Sequence, residues 1–263
     1  MSQKRKDGIH ALLKGLETGD PDSVSVINPE KYIQHNPQTH EGREGLAALF
    51  KRLSLTSPRV NLVRLFSDGD YVFGQTEYDF SSRRIGFEVF RFEDDMTVEH
   101  WDNIQPRKGP NASGHSMVDG ETEVRDRHKT ESNRTLVREF VEQVLINPAP
   151  ASFDDQLIRY IDAATYREHS PYYSDDLGEL KRALLSEASA KPNQAATELK
   201  YQRLHRVLAE GNFVLTVVEG YRNEVHTSFY DLFRLHQDKI VEHWSTTEAV
   251  PAPSEWKNDN GKF

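Results

Sequence analysis

The sequence predicts an α+β fold built twice in tandem, and three observations predict it. The pattern Val89-Phe90-Arg91-Phe92 … Val98-Glu99-His100-Trp101 returns as Leu232-Phe233-Arg234-Leu235 … Val241-Glu242-His243-Trp244, at a spacing of 143 from Phe90 to Phe233 and from Trp101 to Trp244. In each half, apolar residues at helical spacing come first and period-two strands follow. Between the halves, residues 107–131 are rich in Gly, Pro, Ser, Asn and charge and show no period, which reads as a linker.

The repeat reaches further back. Asp70-Tyr71-Val72 and Glu77 match Asn212-Phe213-Val214 and Glu219 at a spacing of 142, and Tyr32-x-x-His35-x-Pro37 matches Tyr166-x-x-His169-x-Pro171 at 134. The growing spacing puts insertions between matched blocks, where loops tolerate them. The domains expected are 1–110 and 131–263, the second carrying a C-terminal tail, with 111–130 between them.

Ile9, Leu12, Leu13 and Leu16 follow the i, i+3, i+4, i+7 rule for a helix, which Gly19-Asp20-Pro21 ends. A short helix is expected over 23–32, giving way to the loop Gln34-His35-Asn36-Pro37, and a third over 42–53. The period then changes to that of strands, expected at 59–67, 70–80, 84–93 and 96–106, with turns at Ser67-Asp68-Gly69 and Glu93-Asp94-Asp95. The second half repeats the plan, with helices over 132–146, 153–163 and 177–190. Its strands are expected at 197–209, 211–221, 225–237 and 239–249.

Composition narrows the function classes. The chain has 263 residues, 36% hydrophobic and 29% charged, enough for two modest cores. Its net charge of −9, without a basic stripe interleaved with aromatics, argues against nucleic acid as a partner. No apolar run suits a membrane span, and the basic start of the chain lacks the apolar core of a secretion signal. The absence of cysteine excludes disulfides and thiol nucleophiles. A cytoplasmic protein is the expectation. Neither metal-ligand spacing, nor a Gly-rich phosphate loop, nor a Gly-x-Ser-x-Gly elbow is present, so no cofactor is expected.

Several stretches together resemble one family. These are Tyr32-Ile-Gln-His35-Asn36-Pro37, Glu41-Gly42-Arg43-Glu44-Gly45, Lys239-Ile-Val-Glu-His-Trp244 and the tail Glu255-Trp256-Lys257-Asn258-Asp259-Asn260-Gly261-Lys262-Phe263. They resemble the SnoaL-like (polyketide cyclase-like) family of the nuclear transport factor 2-like superfamily. That resemblance implies two tandem cone-shaped domains of cystatin-like α+β type, each a curved mixed sheet around a pocket, covered by N-terminal helices. It also implies aldol-type chemistry by an Asp acid/base, for which Asp102 is the matching position. The second half departs from the pattern, with Ser245 at the equivalent place.

The residues admit two accounts of each candidate. Asp102 is either a general base or the ion-pair partner of an arginine on a neighbouring strand. Val98, His100, Asp102 and Ile104 share one strand face, while Glu99, Trp101 and Asn103 share the other, and either face can line the pocket. His100 and His243 recur in both halves, as a requirement of the fold would. His35, Gln34 and Asn36 could orient a carbonyl or simply bond their own loop. Tyr32, Trp101, Tyr166, His169, His243 and Trp244 complete the candidate pocket walls.

Two functions follow. One is a cofactor-independent acid/base enzyme with an apolar pocket, cyclising, isomerising or dehydrating a small carbonyl compound through Asp102, His35 and His100. The other is a non-catalytic small-ligand-binding or scaffold protein of the same fold. The partners expected are a small apolar or carbonyl-containing ligand, with no nucleic acid and no membrane. The two halves are expected to pair within the chain as a pseudo-dimer, with a further homodimer as an additional option.

Overall fold

The computed structural model describes residues 2–186 and 198–263. The chain divides into two compact units: Met1–Arg107 with Val250–Phe263, and Lys108–Ala249. Each is α+β with one five-stranded mixed sheet. The units are discontinuous in sequence, since 250–263 belongs to the first and the Gly- and Pro-rich stretch from 108 onward to the second. Arg125 and Asn212 show how that stretch is held. The Asn212 N–H donates to the Arg125 carbonyl (3.0 Å), and the Arg125 N–H donates to Asn212 Oδ1 (2.8 Å).

In the first unit, α1 (Ser2–Thr18) buries Ile9, Leu12, Leu13 and Leu16. Each buried side chain contributes roughly 1.5–3 kcal/mol. The stripe packs with Leu46 of α2 (Gly42–Ser54) and with Val60, Val72, Tyr78, Phe90 and Phe92 of the sheet. That sheet comprises β1 (Ile33–Gln34), β2 (Arg59–Asp68), β3 (Tyr71–Asp79), β4 (Arg83–Glu93) and β5 (Met96–Pro106), in the order β1-β5-β4-β3-β2. β1 pairs with β5 in parallel and the other neighbours are antiparallel. Asp94 and Asp95 close the β4–β5 hairpin with φ of 45° and 61°, as a type I′ turn requires of both central residues.

The second unit repeats that order. Its helices are α3 (Thr130–Phe140), continued by a wider π turn over Val141–Ile146, α4 (Phe153–Tyr160) and α5 (Leu177–Leu184). Its strands are β6 (Arg167–Glu168), β7 (Leu199–Glu210), β8 (Phe213–Arg222), β9 (Val225–His236) and β10 (Lys239–Ala249), ordered β6-β10-β9-β8-β7 with β6 parallel to β10. Trp101 faces Val89 across β4–β5 as Trp244 faces Leu232 across β9–β10.

The structure differs from the sequence expectation in local ways. The helix expected over 23–32 is instead a short 3₁₀ helix, Pro21–Val26. Asn28 precedes a proline and its side chain accepts from the Glu30 and Lys31 N–H groups, so the chain leaves helical geometry there. The helix expected over 153–163 stops at Tyr160, because Ile161 bridges to Ile240 of β10. Residues 187–190 of the helix expected over 177–190, and residue 197 of the strand expected to start there, lie outside the described residues.

Two glycines permit close backbone approach beside breaks in register. A Cβ at Gly74 would lie 2.3 Å from the Arg64 carbonyl oxygen, and one at Gly220 would lie 2.1 Å from that of Lys200. Neither backbone can yield without disturbing its strand pair. Gly74→Ala and Gly220→Ala are each expected to cost about 1–3 kcal/mol in urea unfolding, the usual scale of overpacking. Unchanged midpoints would show that the sheets relax freely at these points.

Candidate functional site

Register decides which side chains meet. Gln34 pairs with His100 across β1–β5, while Phe90 pairs with His100 and Glu88 with Asp102 across β4–β5. Period-two alternation puts all of them on one face. That face lines a cavity of about 70 Å³, walled by Leu12, Leu16, Phe50 and Phe90 and carrying Tyr32, Gln34, Tyr78, Glu88, His100 and Asp102. The face of the Glu-His-Trp strand that meets the cavity is therefore the one holding His100 and Asp102.

The polar end of this cavity is a connected network. The Asn36 backbone N–H donates to Gln34 Oε1 (2.9 Å), which identifies that atom as the oxygen. His100 Nδ1 lies 3.1 Å from the same oxygen and so is the donor. His100 Nε2 lies 2.8 Å from Glu88 Oε2, so one proton sits between the imidazole and the carboxylate. The Tyr78 hydroxyl donates to Glu88 Oε1 (2.7 Å), and Phe90 stacks on the His100 ring at 4.4 Å. Asp102 accepts from Asn36 Nδ2 (2.7 Å) and, at 3.5 Å, from Lys262 Nζ.

Tyr32 differs from its neighbours. It is 6% exposed, and among the described residues its hydroxyl has no hydrogen-bond partner. Burial, with Glu88 and Asp102 adding to it, pushes the phenol far above its ordinary range, so it remains a donor.

Other sequence candidates lie elsewhere. His35 and Trp101 are on the opposite face of the sheet, stacked at 4.6 Å. His35 Nδ1 donates to the Gly261 carbonyl (2.9 Å), and its Nε2 meets Glu99 Oε1 (2.9 Å). Both ring nitrogens are thus engaged away from the cavity. In the second unit His169 and Trp244 repeat the stack, also at 4.6 Å, with His169 between Asp119 and Glu242.

The second cavity, about 30 Å³, is lined by Tyr166, Glu168, Tyr173, His243 and Ser245 among apolar walls. Glu168 stands where the first unit has Gln34. Its carboxylate accepts from the Tyr166 hydroxyl (2.7 Å), the Ser170 N–H (2.7 Å) and His243 Nδ1 (2.9 Å), while His243 Nε2 donates to Asp231 Oδ1 (3.0 Å). Burial opposes charge on His243, but Glu168 and Asp231 outweigh it and raise the imidazole to about 10. Tyr166, the counterpart of Tyr32, is satisfied internally.

Sequence reasoning missed Glu88, Asp231, Glu168 and Lys262. The first two carried a signal, being acids 143 apart, one position ahead of the quoted repeat. Lys262 carried none, because 160 residues separate it from Asp102. Among the described residues, Glu88, His100 and Asp102 bring ligand atoms within 4.8 Å of one another, so these three could hold a metal ion. No helix among the described residues is long and apolar enough to cross a membrane.

No family model and no curated protein matches the chain. Among solved structures it is similar to TsrD from Streptomyces laurentii, at 21% identity over 39% of this chain and 89% of that one, with a TM-score of 0.35. It is also similar to an LEH-like epoxide hydrolase of M. tuberculosis, at 18% identity over 40% and 84%, TM-score 0.35. A de novo designed protein with a curved β-sheet scores alike, at 17% identity over 40% and 89%, TM-score 0.36. Likenesses this distant do not bear on the reaction.

The His243 pair makes stability depend on pH. A folded-state value of about 10 exceeds the ordinary ~6.5, so the stabilisation is complete below about pH 6.5 and is lost as pH rises through 10. The urea midpoint should fall between pH 7 and pH 10. His243→Gln should remove that fall and cost about 3–5 kcal/mol at pH 7, as breaking a buried ion pair does. Equal pH slopes in the two proteins would contradict this.

Proposed function

We propose that the chain is a duplicated SnoaL-like protein whose first unit performs cofactor-independent acid/base chemistry on a small carbonyl compound. Its second unit is a non-catalytic copy. The observation that carries the reading is the Tyr32 hydroxyl, buried and without a hydrogen-bond partner among the described residues, in the lining of the same apolar cavity as Asp102. Leaving a buried hydroxyl unsatisfied costs about 1–3 kcal/mol, a cost that a carbonyl oxygen in the cavity would offset.

In this reading Asp102 takes a proton from the carbon next to the carbonyl. The electron pair moves onto the carbonyl oxygen, where Tyr32 donates to the enolate, and Asp102 returns the proton at the same or a neighbouring position. Isomerisation, aldol closure and dehydration all share that first step. Asn36 fixes the Asp102 carboxylate, and the proton held between His100 and Glu88 keeps the neighbouring acid from opposing Asp102.

A specific observation favours the binding or scaffold reading for the second unit. Ser245 replaces the acid, and Glu168 occupies both the Tyr166 hydroxyl and His243.

The reading is tested without knowing the substrate. Small ketones in D₂O are followed by ¹H NMR for protein-catalysed exchange of protons next to the carbonyl. Asp102→Asn should slow exchange by about 10²–10⁴, and Ser245→Ala should leave it unchanged. Tyr32→Phe should slow it by a smaller factor. Exchange that survives Asp102→Asn, or none across a broad panel, counts against the proposal.

A further inference from the structure

Glu88, His100 and Asp102 form a buried set of nitrogen and oxygen donors of the kind that holds a divalent ion. We propose that Lys262 is the resident cation of this set, a positioning residue that holds Asp102 in place and occupies the role a metal would otherwise fill. The proposal rests on reading Asp102 as the acid of the first site.

Charge requires a cation here. Glu88 and Asp102 are directly opposite each other on β4 and β5, an arrangement in which like charges repel. The proton between His100 and Glu88 offsets one negative charge. The other is met by Lys262 Nζ, 3.5 Å from Asp102 Oδ1, with side chains 1% and 6% exposed.

The segment that delivers Lys262 also builds the site loop. Asn258 Nδ2 donates to the Asn36 and Thr39 carbonyls (2.8 and 2.9 Å), and the Lys257 N–H donates to the Pro37 carbonyl (2.8 Å). Asn260 Nδ2 donates to the Gln34 carbonyl (3.1 Å) and to Glu41 (2.9 Å). Gln34 and Asn36, which hold His100 and Asp102, are therefore fixed by the same strap that inserts the ammonium.

The second unit serves as an internal control. Asn111-Ala-Ser-Gly114-His115 has the spacing of Asn258-Asp-Asn-Gly261-Lys262. Gly114 and Gly261 have φ of 88° and 79°. Asn111 Nδ2 donates to the Glu168 and Ser170 carbonyls, as Asn260 and Asn258 do to Gln34 and Asn36. By that spacing His115 aligns with Lys262, but its Nε2 lies 3.1 Å from Asp175 Oδ2. By contact, the Ser116 carbonyl meets His169 Nδ1 as the Gly261 carbonyl meets His35 Nδ1, so the buried residue that follows is Met117 where the first unit has Lys262, and the acid at the position of Asp102 has become Ser245. Acid and ammonium are lost together, as expected of two groups that act as a pair.

The test uses the full chain and Mn²⁺ alone, with bound ion measured by loss of the free-ion EPR signal. Lys262→Met should gain one site, at least about tenfold tighter than any in the wild type, because a buried like charge a few ångströms away has been removed. That gain should vanish in Lys262→Met/Asp102→Asn, and Lys262→Arg should behave as wild type. Weak binding elsewhere on the acidic surface gives the same background in every variant.

No gain in Lys262→Met, or Asp102-dependent Mn²⁺ binding already in the wild type, overturns the proposal. If Lys262→Met does not fold, the wild-type titration still decides the second point. The ¹⁵Nζ resonance of Lys262 decides the first, since it must move in Asp102→Asn and overturns the proposal if it does not. Failure of the exchange assay with these results intact would reject the enzyme reading and leave the Lys262 pairing standing.

Discussion

Glu88 and Asp102 are cross-strand neighbours on a buried face, and two carboxylates so placed must have positive charge or a proton between them. Much of the first unit follows from that constraint. His100 sits diagonally across the ladder from Glu88 and shares a proton with it. Gln34 must then be an acceptor, which draws β1 into parallel register with β5, and the His35 N–H seals the register on the His100 carbonyl. The loop so placed brings Tyr32 to one side and Asn36 to the other.

The second unit meets the same constraint differently. Asp231 faces Ser245, so no carboxylate pair exists across the ladder. The second acid comes instead from β6, as Glu168, and His243 lies between the two. A doubly bonded imidazolium is a stable element but a poor proton acceptor. One fold thus carries a cavity faced by a carboxylate at Asp102 in one unit and an ion-pair network around His243 in the other, and that difference rests on Gln34 against Glu168 and Asp102 against Ser245.

The long strands were legible because period-two alternation is broken by turn residues such as Ser67-Asp68-Gly69 and Glu93-Asp94-Asp95. β1 and β6 were not, since a strand of two residues has no period to detect. The cavity face of β5 was undecidable because both faces mix apolar and polar side chains. His35 and Trp101 looked like site residues because they recur with the motif, yet their recurrence reflects a structural stack on the other face. Residues 108–126 and 256–262 are fixed by asparagine side chains and carbonyls rather than by periodicity, so the sequence shows a linker and a tail where the fold has straps.

In the first cavity a carbonyl oxygen is expected against Tyr32. Crystals soaked with small cyclic ketones test this most directly. Density is expected in the first cavity, with the carbonyl oxygen at hydrogen-bond distance from the Tyr32 hydroxyl and the adjacent carbon facing Asp102. Ketones seated only in the second cavity, or bound in the first with the oxygen turned away from Tyr32, would contradict it.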